Sequence, residues 1–311
     1  LEYKTGRWRD DGANRVVERS KEIVENTSDP FFIFANFVET HDPYRPPSTF
    51  LREYLPASVS IEEANQIVQS HMVDLSLGKK TLTDREREIM ISLYDAEIRY
   101  VDKKINEFSE FLRDEGEFEN TVFIICSDHG DLFGEWNLWG HQGEIHRDLC
   151  RVPLIISHPD LGNSTIDRPV ELRDLADYIP NLGVGEVTPL YQKPGAIVEY
   201  HGWDCQISSD KWGEFSEGEK NQWGTYSASY FTDEWQLLSD SSGANYLYNH
   251  QDGIPDNKEI TKDNPEVLNI LVDRLVGEVG HPKENHETYR GQVGSGSNKE
   301  LKQHLKDLGY S

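Results

Sequence analysis

The chain has 311 residues, with 31 Lys plus Arg against 56 Asp plus Glu and a formal net charge of −25; that excludes a surface built to neutralise nucleic-acid phosphates. Hydrophobic residues make up 36% of it and aromatic ones 11%, enough apolar surface to exclude a disordered chain. No apolar run approaches the roughly 20 residues of a membrane-spanning helix, so the expectation is a folded protein of one or two domains.

Taken in chain order, residues 14–26 repeat apolar positions at Val16, Val17, Ile23 and Val24, which predicts a helix. The continuous apolar run Phe31–Val38 predicts a strand buried on both faces. Thr83 and Glu86 form a capping-box pattern at the start of a long helix. Apolar residues keep helical spacing from Ile89 to Leu112, and Gly116 stops it. Thr121–Ser127 and Val152–Ser157 read as two further buried strands. Apolar strands alternating with helices predict an α/β fold with a mainly parallel mixed sheet between helix layers.

After about residue 185 the segments become shorter and more polar. Ala196–Tyr200, Tyr226–Phe231 and Trp235–Leu238 predict a small C-terminal antiparallel sheet, and Pro265–Val279 predicts a helix. The Gly/Ser-rich stretch 291–298 reads as a linker. Leu301, Leu305 and Leu308 suggest a short terminal helix. The expected division is 1–185, 186–290 and 291–311.

Acidic residues are spread along the chain rather than gathered in a tail. Self-repulsion at that density is relieved by salt, which suggests a salt-adapted (halophilic) protein; an ordinary acidic protein is the alternative. The three cysteines, Cys126, Cys150 and Cys205, have no C-x-x-C spacing. A reducing, cytoplasmic setting is the expectation.

Chemistry gathers where the predicted strands end. Thr121–Ser127 runs into Asp128-His129-Gly130-Asp131. A carboxylate beside an imidazole suits a divalent cation such as Mg, Mn, Ca or Zn; a capping Asp with a solvated His is the plainer reading. The first strand ends in Glu39-Thr40-His41-Asp42-Pro43-Tyr44. Downstream comes Trp139-Gly140-His141-Gln142-Gly143. Adjacent parallel strands would bring His41, His129 and His141 into one site.

These segments resemble the sulfatases of the alkaline phosphatase superfamily. The resemblance rests on Pro30-Phe31-Phe32 leading to His41-Asp42-Pro43-Tyr44, and on Tyr94, Ala96, Ile98, Tyr100 and Asp102 of the long helix. It continues through Thr121–Gly130, Gly134-Glu135-Trp136 with Leu138-Trp139-Gly140-His141, and Arg151-Val152-Pro153. Leu172-Arg173-Asp174-Leu175, Leu247-Tyr248-Asn249, Asn264–Leu268 and Leu308-Gly309-Tyr310 extend it. It implies a metal-dependent sulfuric ester hydrolase, with Asp128 and His129 as metal ligands. His41 would contact the sulfate ester and assist the leaving oxygen. His141 stands in the neighbourhood of a family lysine that binds sulfate, and Gln142 is an equally aligned candidate. The metal implied is calcium, with Mg and Mn as alternatives, and the partner is a small aryl or carbohydrate sulfate.

The family's nucleophile motif, Cys/Ser-x-Pro-x-Arg, does not occur in this sequence. Cys150-Arg151-Val152-Pro153-Leu154 has the wrong spacing. The expectation is therefore the C-terminal part of a sulfatase: residues 1–185 from the catalytic domain, 186–290 a small subdomain, 291–311 a linker and terminal helix. The formylglycine or serine nucleophile and the first metal carboxylates would lie in a missing N-terminal segment. Such a chain would be inactive alone. The alternatives are a phosphate or phosphonate monoester hydrolase of the same superfamily and a non-catalytic anion-binding remnant.

Overall fold

Helix α1 (Ala13–Glu25) turns Ala13, Val17, Ser20 and Val24 inward, the three-to-four-residue spacing of one helix face. Its first backbone N–H, from Ala13, donates to the buried Glu39 carboxylate at 2.6 Å, an anion placed where the helix dipole is positive. Such structure is described for residues 12–67, 72–141, 143–183, 190, 193–203, 213–249 and 261–285 of a computed structural model. Gln142, Cys205, the Gly/Ser stretch and the expected terminal helix lie outside these residues.

Helix α2 (Ser48–Tyr54) and the 31-residue α3 (Asp84–Asp114) follow. The predicted capping box opens α3: Glu86 N–H donates to Thr83 Oγ1 at 3.2 Å, and Thr83 N–H to Glu86 Oε2 at 2.8 Å. Beyond Glu115, Gly116 takes φ +75°, a left-handed conformation that glycine adopts without a Cβ penalty. Both α1 and α2 pack on α3. The core formed there contains Tyr44, Leu51, Ile89, Met90, Leu93, Ala96 and Phe133.

Strands β1 (Phe123–Cys126), β2 (Leu132–Phe133), β3 (Trp139–Gly140) and β4 (Leu154–Ser157) depart from the expected sheet. β1 pairs with β4 antiparallel, Phe123 opposite Ser157 and Cys126 opposite Leu154, and β2 pairs with β3 antiparallel. Among the described residues no parallel pair occurs. Residues 30–38 form no strand; Phe32 is 72% exposed and Phe34 77%. An apolar run reports a tendency to be buried, but burial needs partners, and none of the described elements supplies a strand to this one.

By chain proximity the molecule divides into two compact units. The first comprises residues up to Ser127 with Asp131–His141 and Val152–Gly162. The second comprises Asp128–Gly130, the described residues of 142–151 and those from Asn163 on.

The second unit holds α4 (Leu175–Gly183), β5 (Ala196–Tyr200), α5 (Glu217–Trp223), β6 (Ser227–Phe231), β7 (Trp235–Asp240), β8 (Asn245–Asn249) and α6 (Pro265–Val279). The four strands form an antiparallel sheet in the order β5-β6-β7-β8, as the change in sequence texture suggests. Helix α6 has Pro265 at its first turn and stops at Gly280, which favours a sharp start and end. Its Leu271 and Leu275 pack with Tyr226, Tyr230, Leu237 and Leu247 of the sheet side. Each such buried leucine contributes about 1.5–3 kcal/mol of transfer free energy. Ahead of β5, Glu171 is buried among donors: Arg173 and Lys193 reach its oxygens at 2.5 and 2.8 Å, and Ile197 N–H donates at 2.8 Å.

Candidate active site

The β2–β3 hairpin of the first unit delivers His141. Glu135 accepts from Phe133 N–H at 2.6 Å and pairs with Arg87 of α3 at 3.0 Å. Arg87 also donates to the Phe133 carbonyl. Gly134 N–H closes the turn onto the Leu138 carbonyl at 2.9 Å. Within that turn Trp136 and Asn137 hold φ of +51° and +60°, a conformation costly for side-chain-bearing residues. Ser76 Oγ accepts from Trp139 N–H at 2.9 Å. The hairpin is therefore tied to its surroundings at both ends, and His141 follows immediately.

Residues 41–44 provide the opposing wall. The rings of His41 and His141 lie 5.1 Å apart between centroids. His41 Nδ1 is 2.6 Å from the Asp42 carbonyl oxygen and 3.5 Å from Asp42 Oδ1. His141 Nδ1 is 3.1 Å from Asp131 Oδ1, and the Tyr44 hydroxyl donates to Asp131 Oδ2 at 2.6 Å. One buried carboxylate thus serves two side chains. Both imidazoles face an oxygen acceptor through Nδ1, which fixes a proton there and leaves the lone pair of the neutral ring on Nε2.

Burial raises the Asp42 carboxyl above the usual carboxylate range; His41 and His141 pull it back, and Asp131 pushes it up. Tyr44 is raised by burial and by Asp131, and Tyr94 is pushed up to about 12 by burial, Asp131 and Asp95. Both phenols stay protonated at neutral pH, and that of Tyr44 donates to Asp131. Tyr44, Tyr94 and Phe133 make edge and tilted ring contacts at 5.2–6.0 Å, which stiffen the floor below Asp131.

Asp128 and His129 sit in the turn after β1. His129 Nδ1 is 2.9 Å from the Gly130 carbonyl, and its Nε2 is 3.8 Å from Asp128 Oδ2. Two donors at that separation suit one divalent cation with bonds of about 2.0–2.6 Å. Gly130 N–H donates to the Leu149 carbonyl at 2.9 Å. A Cβ on Gly130 would meet the Asp148 carbonyl oxygen at 2.1 Å, so the turn that presents Asp128 and His129 requires glycine.

The sequence expects His41, His129 and His141 to meet through neighbouring parallel strands. The structure brings the His41 and His141 rings together by another route, the hairpin and the 41–44 turn. Asp131 and Tyr44 stand inside the sequence motifs with no role that the motifs reveal; a second carboxylate three residues after Asp128 is the available signal. Cys150, already misplaced for a nucleophile, has its thiol pushed up to about 12 by burial and by Glu144, so it is not a thiolate at neutral pH.

The α/β architecture with a small antiparallel sheet has the fold of solved alkaline-phosphatase-like neighbours. A sulfatase family model matches residues 9–182, more than half of the chain, and the chain belongs to the sulfatase family. It is 30% identical over 176 residues to an arylsulfatase of Clostridium perfringens, covering 52% of this chain and 36% of that protein. It is 27% identical over 190 residues to a choline-sulfatase of Rhizobium meliloti, covering 56% and 36%. The phosphonate monoester hydrolase SpPMH of Silicibacter pomeroyi superposes with a TM-score of 0.65 at 16% identity, over 86% of this chain and 59% of that one. The chain spans little more than a third of the length of these two curated relatives. Among the described residues no helix is long and apolar enough to cross a membrane.

Proposed function

We propose that the complete protein hydrolyses sulfate monoesters, and that this chain is its C-terminal part, supplying substrate contacts and half of a metal site. The observation that carries the reading is the His41–His141 pair at 5.1 Å, backed by Asp131. A sulfate ester is an anion whose leaving oxygen gains charge in the transition state, and imidazolium groups stabilise such charge. His41, held at Nδ1 by the Asp42 carbonyl, donates from Nε2 to the leaving oxygen. His141, faced at Nδ1 by Asp131, binds a sulfate oxygen, with Gln142 the equally aligned candidate for that contact.

The resident cation belongs on Asp128 and His129, whose oxygen and nitrogen are 3.8 Å apart. When bound it supplies positive charge to the ester oxygens. Calcium is the proposed ion, with Mg and Mn as the alternatives for metal analysis to separate.

The nucleophile and the first metal carboxylates are proposed to lie in a segment upstream of residue 1. The exposed Phe32 and Phe34 support this reading, because an apolar run of that kind calls for cover that none of the described elements supplies. Three cysteines, an odd number, fit a reducing, cytoplasmic setting, and the net charge of −25 supports adaptation to high salt.

The test is complementation. This chain is expected to show no turnover of an aryl sulfate alone. Joined to an N-terminal sulfatase segment carrying Cys/Ser-x-Pro-x-Arg, it is expected to gain turnover and to prefer aryl sulfate over aryl phosphate. Robust activity from the chain alone, or preference for phosphate or phosphonate after completion, overturns the proposal.

A further inference from the structure

Helix α3 buries a carboxylate that the proposed reaction does not use. Glu97 is 2% exposed, on the face that also buries Leu93, Ala96 and Tyr100. For burial alone a leucine would suit that place better, because a carboxylate loses its hydration there and needs hydrogen bonds to replace it. Glu97 Oε1 accepts from the Arg45 N–H at 2.7 Å, across 52 positions of sequence.

The composition of the turn explains why a side chain is needed at that amide. Pro43, Pro46 and Pro47 have no N–H, so between Asp42 and Ser48 only Tyr44 and Arg45 offer one. Backbone pairing cannot fix such a stretch, whereas an ionised acceptor makes one of the stronger hydrogen bonds. Upstream, the His41 N–H donates to the Val38 carbonyl at 3.0 Å. Glu39, buried like Glu97, accepts from the Ala13 N–H of α1 at 2.6 Å. Glu97 closes the other end, four residues beyond His41.

We propose that Glu97 is a positioning residue: by holding the Arg45 amide it sets the turn that places the His41 ring 5.1 Å from that of His141. The role rests on the reading of His41 as the group that meets the ester, and Glu97 itself makes no contact with substrate.

The test uses the 311-residue chain isotope-labelled at histidine. A nuclear Overhauser contact between the two rings, assigned with His41→Gln and His141→Gln, reports their spacing. The parent chain is expected to show it. Glu97→Gln keeps it, because the side-chain amide oxygen still accepts, and Glu97→Leu loses it while circular dichroism shows an intact fold. Arg45→Pro removes the donor at a residue whose side chain is exposed, and the contact should be lost there too; this variant decides the matter if Glu97→Leu does not fold. In the parent chain the Arg45 amide should also resist hydrogen exchange. The proposal is overturned by a ring contact absent from the parent, surviving in a folded Glu97→Leu or Arg45→Pro variant, or lost in a folded Glu97→Gln variant. An Arg45 amide that exchanges like an open peptide overturns it without any variant. None of these outcomes involves turnover, so they fail separately from the sulfatase reading, which fails on complementation.

Discussion

The Tyr44 hydroxyl and the Asp131 carboxylate meet at 2.6 Å across 87 positions of sequence. Through this bond the turn that carries His41 is tied to the carboxylate that orients His141. Removing either partner takes one hydrogen bond from a part-buried polar group. Tyr44→Phe and Asp131→Asn are each expected to cost about 1–3 kcal/mol in urea unfolding. A double-mutant cycle should return a coupling of about 0.5–3 kcal/mol. Simple additivity would mean that the bond does not couple the two segments.

Gly130→Ala places a methyl group 2.1 Å from the Asp148 carbonyl oxygen. Overpacking of that kind costs about 1–3 kcal/mol. The loss should appear as a lower unfolding midpoint, together with weaker binding of a divalent cation at Asp128 and His129. A midpoint and cation affinity equal to those of the parent chain would contradict the tight turn.

Glu171 gives a signed pH prediction. Burial works to raise its carboxyl, but Arg173, Lys193 and the Ile197 N–H outweigh it and hold it below the ordinary 4.5. A lowered folded value means stability that is present above 4.5 and lost as pH falls through the folded value. Glu171→Gln should therefore cost about 1.5–3 kcal/mol at pH 7, and the gap should close below pH 4.5. A gap independent of pH between 7 and 3 would refute the charged cluster.

The double substitution Phe32→Asp with Phe34→Asp separates the chain's own stability from its proposed completion. Both rings are exposed, so each substitution should change the stability of this chain by no more than about 0.5 kcal/mol. The same variant should lose complementation by an N-terminal sulfatase segment. Parallel loss of stability in the isolated chain would mean that the run is already part of a packed core.

The charge of −25 predicts an unfolding midpoint that rises between dilute buffer and multimolar KCl, as screening relieves self-repulsion. Equal stability at both ends would leave an ordinary acidic protein.

What is legible in the sequence is local chemistry. Thr83, Glu86 and Gly116 bound α3 because capping and left-handed turns are decided within four residues. Pro265–Val279 is α6 to the residue, since proline at the first turn and glycine after the last need no distant partner. Residues 31–38 form no strand although their pattern predicts one. An apolar run records how much surface must be covered, and the cover comes from elsewhere. The direction of β1 against β4 is invisible for a related reason: Phe123 and Ser157 would look the same in either orientation. The role of Asp131 is hidden too, because its partners, Tyr44 and His141, are chosen by tertiary packing.

The interleaving of the two units has a practical consequence for anyone dissecting the molecule. Gln236 of β7 reaches the Ile145 carbonyl at 3.4 Å, and Ile145 belongs to a stretch emerging from the ribosome long before β7. A cut after Gly162 would therefore leave the second unit without residues 142–151, and a cut before Asp128 would deprive the first of its hairpin. No single break yields both pieces whole, so domain-by-domain expression is the wrong strategy for this chain.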